Sequence, residues 1–201
     1  MNALLENSDH WQSLWERFID GDKKAFALIY EDNIDGLFQY GSKLHPDEST
    51  VKDAIQEVFY DFYIKRKSIQ KSHSIKFYLL LALKRNLIRK LQAERKQQVN
   101  NEEDDFYSEP ETNPEYQTIK KESEKELEEK IKNALLKLPA KQKEAVYLRF
   151  DETLPYEEIA KILNISVESA RTLVYRAIKT IKKILKTQGS IVLLSFFKKK
   201  Q

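Results

Sequence analysis

Residues 97–122, QQVNNEEDDFYSEPETNPEYQTIKKE, constrain this chain more than any other stretch. They combine acids, amides, Ser, Thr and two prolines with few apolar residues, so burial cannot offset the entropy of ordering them. The segment reads as a flexible acidic linker. It leaves residues 8–96 and 123–187 to fold as two separate small domains, followed by a tail, 188–201. A coil of this length has an r.m.s. span of roughly 25–30 Å, and drawn straight it reaches on the order of 85 Å. The two domains can therefore sit on distant patches of one large partner. The Glu102-Glu103-Asp104-Asp105 run inside the linker admits a divalent-metal reading and a solvated-tether reading. Adjacent carboxylates in a flexible loop lack the preorganisation a cation site needs, which favours the tether.

The domains themselves should be helical. Only four glycines occur, at 21, 36, 41 and 189, and they do not cluster, so a phosphate-cradling loop of the P-loop or dinucleotide type is not expected. Abundant Lys, Glu, Leu and Ile with little Gly or Pro point to an all-α fold. The absence of cysteine excludes a disulfide framework, a thiolate nucleophile and a Cys-based zinc site. MNALLENSDHWQ lacks the basic start and apolar run of a secretory signal, and no stretch is apolar enough for a membrane span, so a cytoplasmic protein is expected.

Charge is segregated. Residues 1–96 carry 16 Lys and Arg against 14 acids, residues 97–129 carry 3 against 12, and residues 130–201 carry 16 against 6, within a net charge of +3. A basic C-terminal part is the footprint of a polyanion binder, although Lys-rich helices are often only solvated.

In the first domain, Trp11, Leu14, Trp15, Phe18 and Ile19 mark a short amphipathic helix, and Phe26, Ile29, Tyr30, Leu37 and Phe38 suggest another helix or a broken pair. Val51, Ile55, Val58, Phe59 and Phe62 then form an apolar stripe at helical spacing, opposite Asp53, Gln56, Glu57 and Asp61. From about Ile75 to Lys96 a further helix presents Leu80, Leu83, Leu87 and Leu91 to a core, with Arg85, Arg89, Gln92 and Lys96 on another face. Residues 74–96 hold seven basic residues against the single acid Glu94. Phe77 and Tyr78 at its start suit base stacking beside a cationic face; packing in the core is the competing reading for those two rings.

In the second domain, Leu127, Ile131, Leu135 and Leu138 share a helix face, and Pro139 opens the next helix, KQKEAVYLRF. DET is a turn. Pro155 to Leu163 then forms a helix with Ile159, Ala160, Ile162 and Leu163 available for burial, Asn164-Ile165-Ser166 breaks it, and a second helix starts at Val167. Val167, Ala170, Val174, Ala177, Ile178 and Ile181 line one side of that helix; Glu168, Ser169, Arg171, Thr172, Tyr175, Arg176 and Lys179 line the other. This is the pattern of a helix-turn-helix whose outer face either reads DNA or is only solvated.

The run LPAKQKEAVYLRFDETLPYEEIAKILNISVESARTLVYRAIKTIKKIL closely resembles region four of bacterial RNA polymerase sigma factors, and DAIQEVFYDFYIKR with the basic helix after it resembles their region two. The order of the two, joined by an acidic linker alone, resembles the compact extracytoplasmic-function group over residues 10–187. The resemblance implies a non-enzymatic initiation factor with no cofactor, no bound metal and no small-molecule substrate. Its partners would be core RNA polymerase, through the β′ clamp helices and the β flap, promoter DNA, and a membrane-associated anti-sigma factor. By position, Asp53, Gln56 and Glu57 would dock on the polymerase. Lys84, Arg85, Asn86 and Arg89 would face the melted −10 element; family members usually carry an Arg-Asn pair here, and the register of Arg85-Asn86 is open by one position. Ser169, Arg171, Thr172, Tyr175 and Arg176 would face the −35 element, with Ser166 capping their helix and Arg171 able to reach a guanine edge. Two departures from the family stand in this domain: Pro155 replaces a frequent capping Ser, and the apolar Leu173 occupies a site often polar or basic. The tail GSIVLLSFFKKKQ has no counterpart in the family core; packing back on the domain, meeting an inhibitor and touching a membrane are all open to it. A stand-alone helix-turn-helix regulator is the alternative, but it would need a dimerisation helix or ligand domain in place of residues 8–96. The scattered histidines, His10, His45 and His73, give no catalytic pattern.

Overall fold

The computed structural model describes residues 13–69, 74–98 and 122–185, apart from the side chains of 96–98 and 122–128. All the regular structure among these residues is helical, and the chain divides into two compact units, one on each side of residue 112. Trp11, Lys96 and Leu127 as side chains, most of the acidic stretch 97–122 and the tail 188–201 lie outside the described residues.

The N-terminal unit contains α1 (residues 13–19), α2 (Lys23–Leu44), α3 (Glu48–Ile64), a short 3₁₀ turn (Arg66–Ser68) and α4 (Ile75–Gln98). The corner between α1 and α2 turns on Gly21, whose φ of +92° favours glycine. Asp22 caps α2: its carboxylate accepts from the backbone N–H groups of Lys24 and Ala25 and from the Arg17 guanidinium of α1 at 2.6 and 2.8 Å. The Arg17 hydrogen bond, then that of Lys24, holds the Asp22 carboxyl below its ordinary range. Asp47 caps α3 in the same way, accepting from the Thr50 N–H and the Ser49 and Thr50 hydroxyls.

The segment around Phe26 to Phe38 is one unbroken helix rather than a broken pair, because Gly36 and Gly41 lie within α2. Gly41 has a packing reason. A Cβ there would meet Val51 Cγ1 at 2.6 Å, so glycine lets α2 and α3 cross closely. The core joins Leu14, Trp15 and Phe18 of α1 to Ile29, Leu37 and Tyr40 of α2, the whole Val51 to Phe62 stripe of α3, and Phe77, Leu79, Leu80, Leu83 and Leu87 of α4. Phe18 and Phe62 stack with centroids 4.5 Å apart at its centre. α4 packs against both α2 and α3; from Gln92 to Arg95 every side chain is exposed.

The C-terminal unit contains α5 (Glu122–Leu136), α6 (Ala140–Val146), a π-helical turn (Tyr147–Asp151), α7 (Tyr156–Leu163) and α8 (Val167–Leu185). The helix expected through KQKEAVYLRF widens after Val146. Ala145, Val146, Tyr147 and Leu148 are all buried, and four successive residues cannot share one face of a regular α-helix. Glu152 N–H donates to the Tyr147 carbonyl, closing the wide turn, and the Tyr147 hydroxyl donates to the buried Glu152 carboxylate at 2.6 Å. Burial, and then the Glu152 charge, push the Tyr147 hydroxyl far above its ordinary pKa. Thr153 follows with φ +57°, a strained conformation for a β-branched residue. Ile131, Ala134, Leu138, Val146, Ala177 and Ile181 form the core of the unit.

Candidate nucleic-acid interfaces

The helix-turn-helix is built by one terminator and one cap. Asn164 ends α7 in the left-handed conformation, and the Ile165 N–H reaches back to the Ala160 carbonyl. Ser166 Oγ accepts from the Ser169 N–H at 3.1 Å, starting α8. At the front of α7, Pro155 offers no side-chain cap, as its ring dictates. α8 then buries Ala170, Val174, Ala177 and Ile181 against α5, α6 and α7.

The structure leaves Ser169, Arg171, Thr172, Tyr175 and Arg176 exposed together on the outer side of α8, with Tyr175 two-thirds exposed. Leu173 is half-buried, so it stands at the edge of this face rather than on it. Arg171 is not idle. Its guanidinium lies 4.9 Å from the Tyr156 ring centroid, 3.6 Å from a Glu157 oxygen and 3.8 Å from a Glu168 oxygen. The Arg149 guanidinium lies over the same ring at 4.9 Å and donates to the Leu154 carbonyl. Arg176 makes no ion pair among the described residues.

In the N-terminal unit, Asp53, Gln56 and Glu57 are all exposed on α3. Tyr60 and Ile64, more than half exposed, continue their face one and two turns on. Sequence reasoning passed over these two, although the +4 spacing from Gln56 places both on the outward side. On α4, Arg85 and Arg89 are exposed, and Lys84 and Asn86 are half-buried.

Two sets of site residues that are far apart in sequence meet at Glu57. Asn86 Nδ2 donates to Glu57 Oε2 at 2.7 Å, Lys90 Nζ donates to Oε1 at 2.8 Å, and Arg89 lies 3.6 Å away. The Asn86 hydrogen bond, then that of Lys90, holds the Glu57 carboxyl below its ordinary range. Lys90 was missing from the sequence-derived set because a one-dimensional pattern does not reveal what α3 sets opposite it.

Of the two readings of Phe77 and Tyr78, packing holds: Phe77 is buried in the core, and the half-buried Tyr78 packs on Phe62 with centroids 5.5 Å apart. His45 is also structural: it is buried, its Nδ1 accepts from the Asp47 N–H, and its Nε2 lies 3.4 Å from Glu94. Among the described residues no three acidic or histidine side chains gather as metal ligands, and no helix is long and apolar enough to cross a membrane.

Residues 128–181 match the family described as Sigma-70, region 4. An ECF RNA polymerase sigma-E factor of Haemophilus influenzae is 28% identical over 183 residues, covering 85% of this chain and 93% of the relative. Among solved structures, the sigma factor RpoE of Bartonella quintana, crystallised with the anti-sigma factor NepR, is similar with a TM-score of 0.63 and 19% identity, over 83% of this chain and 99% of that one. CnrH, solved with the cytosolic domain of CnrY, gives a TM-score of 0.56 and 15% identity, over 89% and 99%. At these identities the two structures establish the all-helical fold.

Proposed function

We propose how this chain, which belongs to the extracytoplasmic-function group of bacterial RNA polymerase sigma factors, uses its two helical units to direct promoter-specific transcription initiation. The N-terminal unit, over residues 8–96, docks on the β′ clamp helices of core RNA polymerase through Asp53, Gln56 and Glu57 of α3. Its α4 face, Lys84, Arg85, Asn86 and Arg89, meets the melted −10 strand. The C-terminal unit, over residues 123–187, sits toward the β flap and lays α8 in the major groove of the −35 element through Ser169, Arg171, Thr172, Tyr175 and Arg176. Residues 97–122 tether the two units.

The observation that carries this reading is the pairing of two different surfaces in one chain. One unit joins an acidic and amide α3 face to a basic α4, and the other holds a capped helix-turn-helix with an exposed polar outer face. The polymerase makes the bonds, so the chain needs no catalytic group, cofactor or small-molecule substrate. We place it in the cytoplasm, associated with the nucleoid when active. RpoE of Bartonella quintana was crystallised with an anti-sigma factor; for this chain we propose a membrane-associated anti-sigma factor that masks one or both units.

The test is capture of purified core polymerase by the full chain. Wild type should retain core, and the double substitution Gln56→Ala with Glu57→Lys should weaken retention while the helical circular dichroism stays unchanged. Unaltered core affinity would remove α3 as the docking face. DNA contact by the assembled complex should weaken steeply with salt, because phosphate contacts release counterions.

A further inference from the structure

Glu57 stands at a junction that neither surface explains alone. It is exposed on α3, yet both of its carboxylate oxygens are engaged by α4: Oε2 by Asn86 at 2.7 Å and Oε1 by Lys90 at 2.8 Å, with Arg89 3.6 Å from Oε2. These partners lie 29 and 33 residues away, so the contact is set by how α3 and α4 pack and not by local sequence. The effect on α4 is opposite to what a polyanion site needs. A carboxylate at this point repels phosphate, neutralises Lys90, weakens the field of Arg89 and occupies the amide donor of Asn86. Asn86 Oδ1, meanwhile, is buried with no hydrogen-bond partner, so the amide uses only its donor side here.

We infer that Lys90 belongs to the nucleic-acid face of α4, and that Glu57 is a positioning residue which holds Lys90 and Asn86 off single-stranded DNA until a partner engages Glu57. The inference rests on α4 as the −10-facing helix and on α3 as the docking face, and it couples the two. A polymerase surface that takes up the Glu57 carboxylate frees one cation and one amide a helix away, in the same step that brings melted DNA to them. Docking and strand capture are then linked through one side chain, without rearrangement of the backbone. Because the contact is half-exposed, the gate is soft, worth a modest factor rather than an on–off switch.

The probe is a fluorescein-labelled oligothymidylate, titrated with the full chain alone and followed by anisotropy across about 50 to 200 mM salt. Glu57→Gln keeps the shape and removes the charge, and it should tighten binding about twofold to fivefold. It should also steepen the slope of log affinity against log salt by about 0.7, the value for one further cation on a single strand. Asp53→Asn removes an identical charge one turn earlier on the same helix face and should give a distinctly smaller gain with no change in slope. In a Lys90→Ala background the Glu57→Gln gain should shrink to about that of Asp53→Asn, since there is no lysine left to release. A gain no larger than that of Asp53→Asn, a gain undiminished without Lys90, or no binding by the Glu57→Gln chain would overturn the inference. Failure of the wider reading looks different: it appears as loss of core capture by the wild-type chain, which this titration does not involve.

Discussion

The two helices proposed to face DNA, α4 and α8, are held in contrasting ways. The polar groups of α4 are gripped across the fold, by Glu57 of α3 and, at its far end, by His45 next to α2. Those of α8 are gripped within one short motif, where Arg171 meets Tyr156, Glu157 and Glu168. The face of α4 is therefore a product of tertiary packing, and that of α8 a product of local sequence. Damage to a core should spread differently in the two units.

The largest expected effect breaks the first half of that contrast. Phe62 is fully buried between Phe18, Trp15 and Tyr78, and Phe62→Ala should cost about 3–5 kcal/mol. Because the chain's only tryptophans, Trp11 and Trp15, precede α2, their fluorescence reports the N-terminal unit. Urea titration should show that signal lost early while part of the helical circular dichroism persists. Simultaneous loss of both would mean the units are energetically one.

A smaller effect belongs to the C-terminal unit. Tyr147→Phe removes the hydroxyl donor from the buried Glu152 carboxylate and should cost about 1.5–3 kcal/mol, read as an earlier helical transition with the tryptophan signal unmoved. The same bond sets a pH dependence. The Tyr147 pKa is raised in the folded state, so its contribution is fully present below the ordinary tyrosine value near 10 and fades as pH rises toward the folded value. Stability of this unit should fall in alkali more steeply in wild type than in Tyr147→Phe.

Thr153 offers a change in the opposite direction. Its φ of +57° strains a β-branched residue, and Thr153→Gly should stabilise the C-terminal unit by about 1 kcal/mol. The smallest effect sharpens the local half of the contrast: Ser166→Ala removes the cap of α8 and should cost about 0.5–1 kcal/mol. It should loosen the first turn of α8, visible as faster amide exchange at Ser169, with the core of the unit intact.

How much was legible in the sequence follows the same contrast. The α3 stripe and the α8 face could be read because each helix packs along one side, which leaves a simple period in the residues. For α2 the sequence left one helix and a broken pair both open, since the reason for Gly41, the approach of Val51 from another helix, lies outside its own segment. Phe77 and Tyr78 left stacking and core packing both open, because how far each ring is covered is decided by the helices around it. The π-helical turn left a trace in four successive apolar residues, Ala145 to Leu148, too many for one α-helical face. The junction of Glu57 with Asn86 and Lys90 left none, since no spacing along a chain encodes which helix lies opposite. Arg171 falls between: Glu168, three residues before it, was a visible partner, and Tyr156 was not.

The most direct test of the central claim is run-off transcription reconstituted from the purified chain and core RNA polymerase, on a promoter this factor serves. The wild-type chain should convert core into a promoter-specific enzyme. Arg171→Ala should lower initiation on the intact promoter, and much less on a template whose −35 element is scrambled. No specific transcript with the wild-type chain would contradict the account; an equal loss on both templates would remove α8 as the −35 reader.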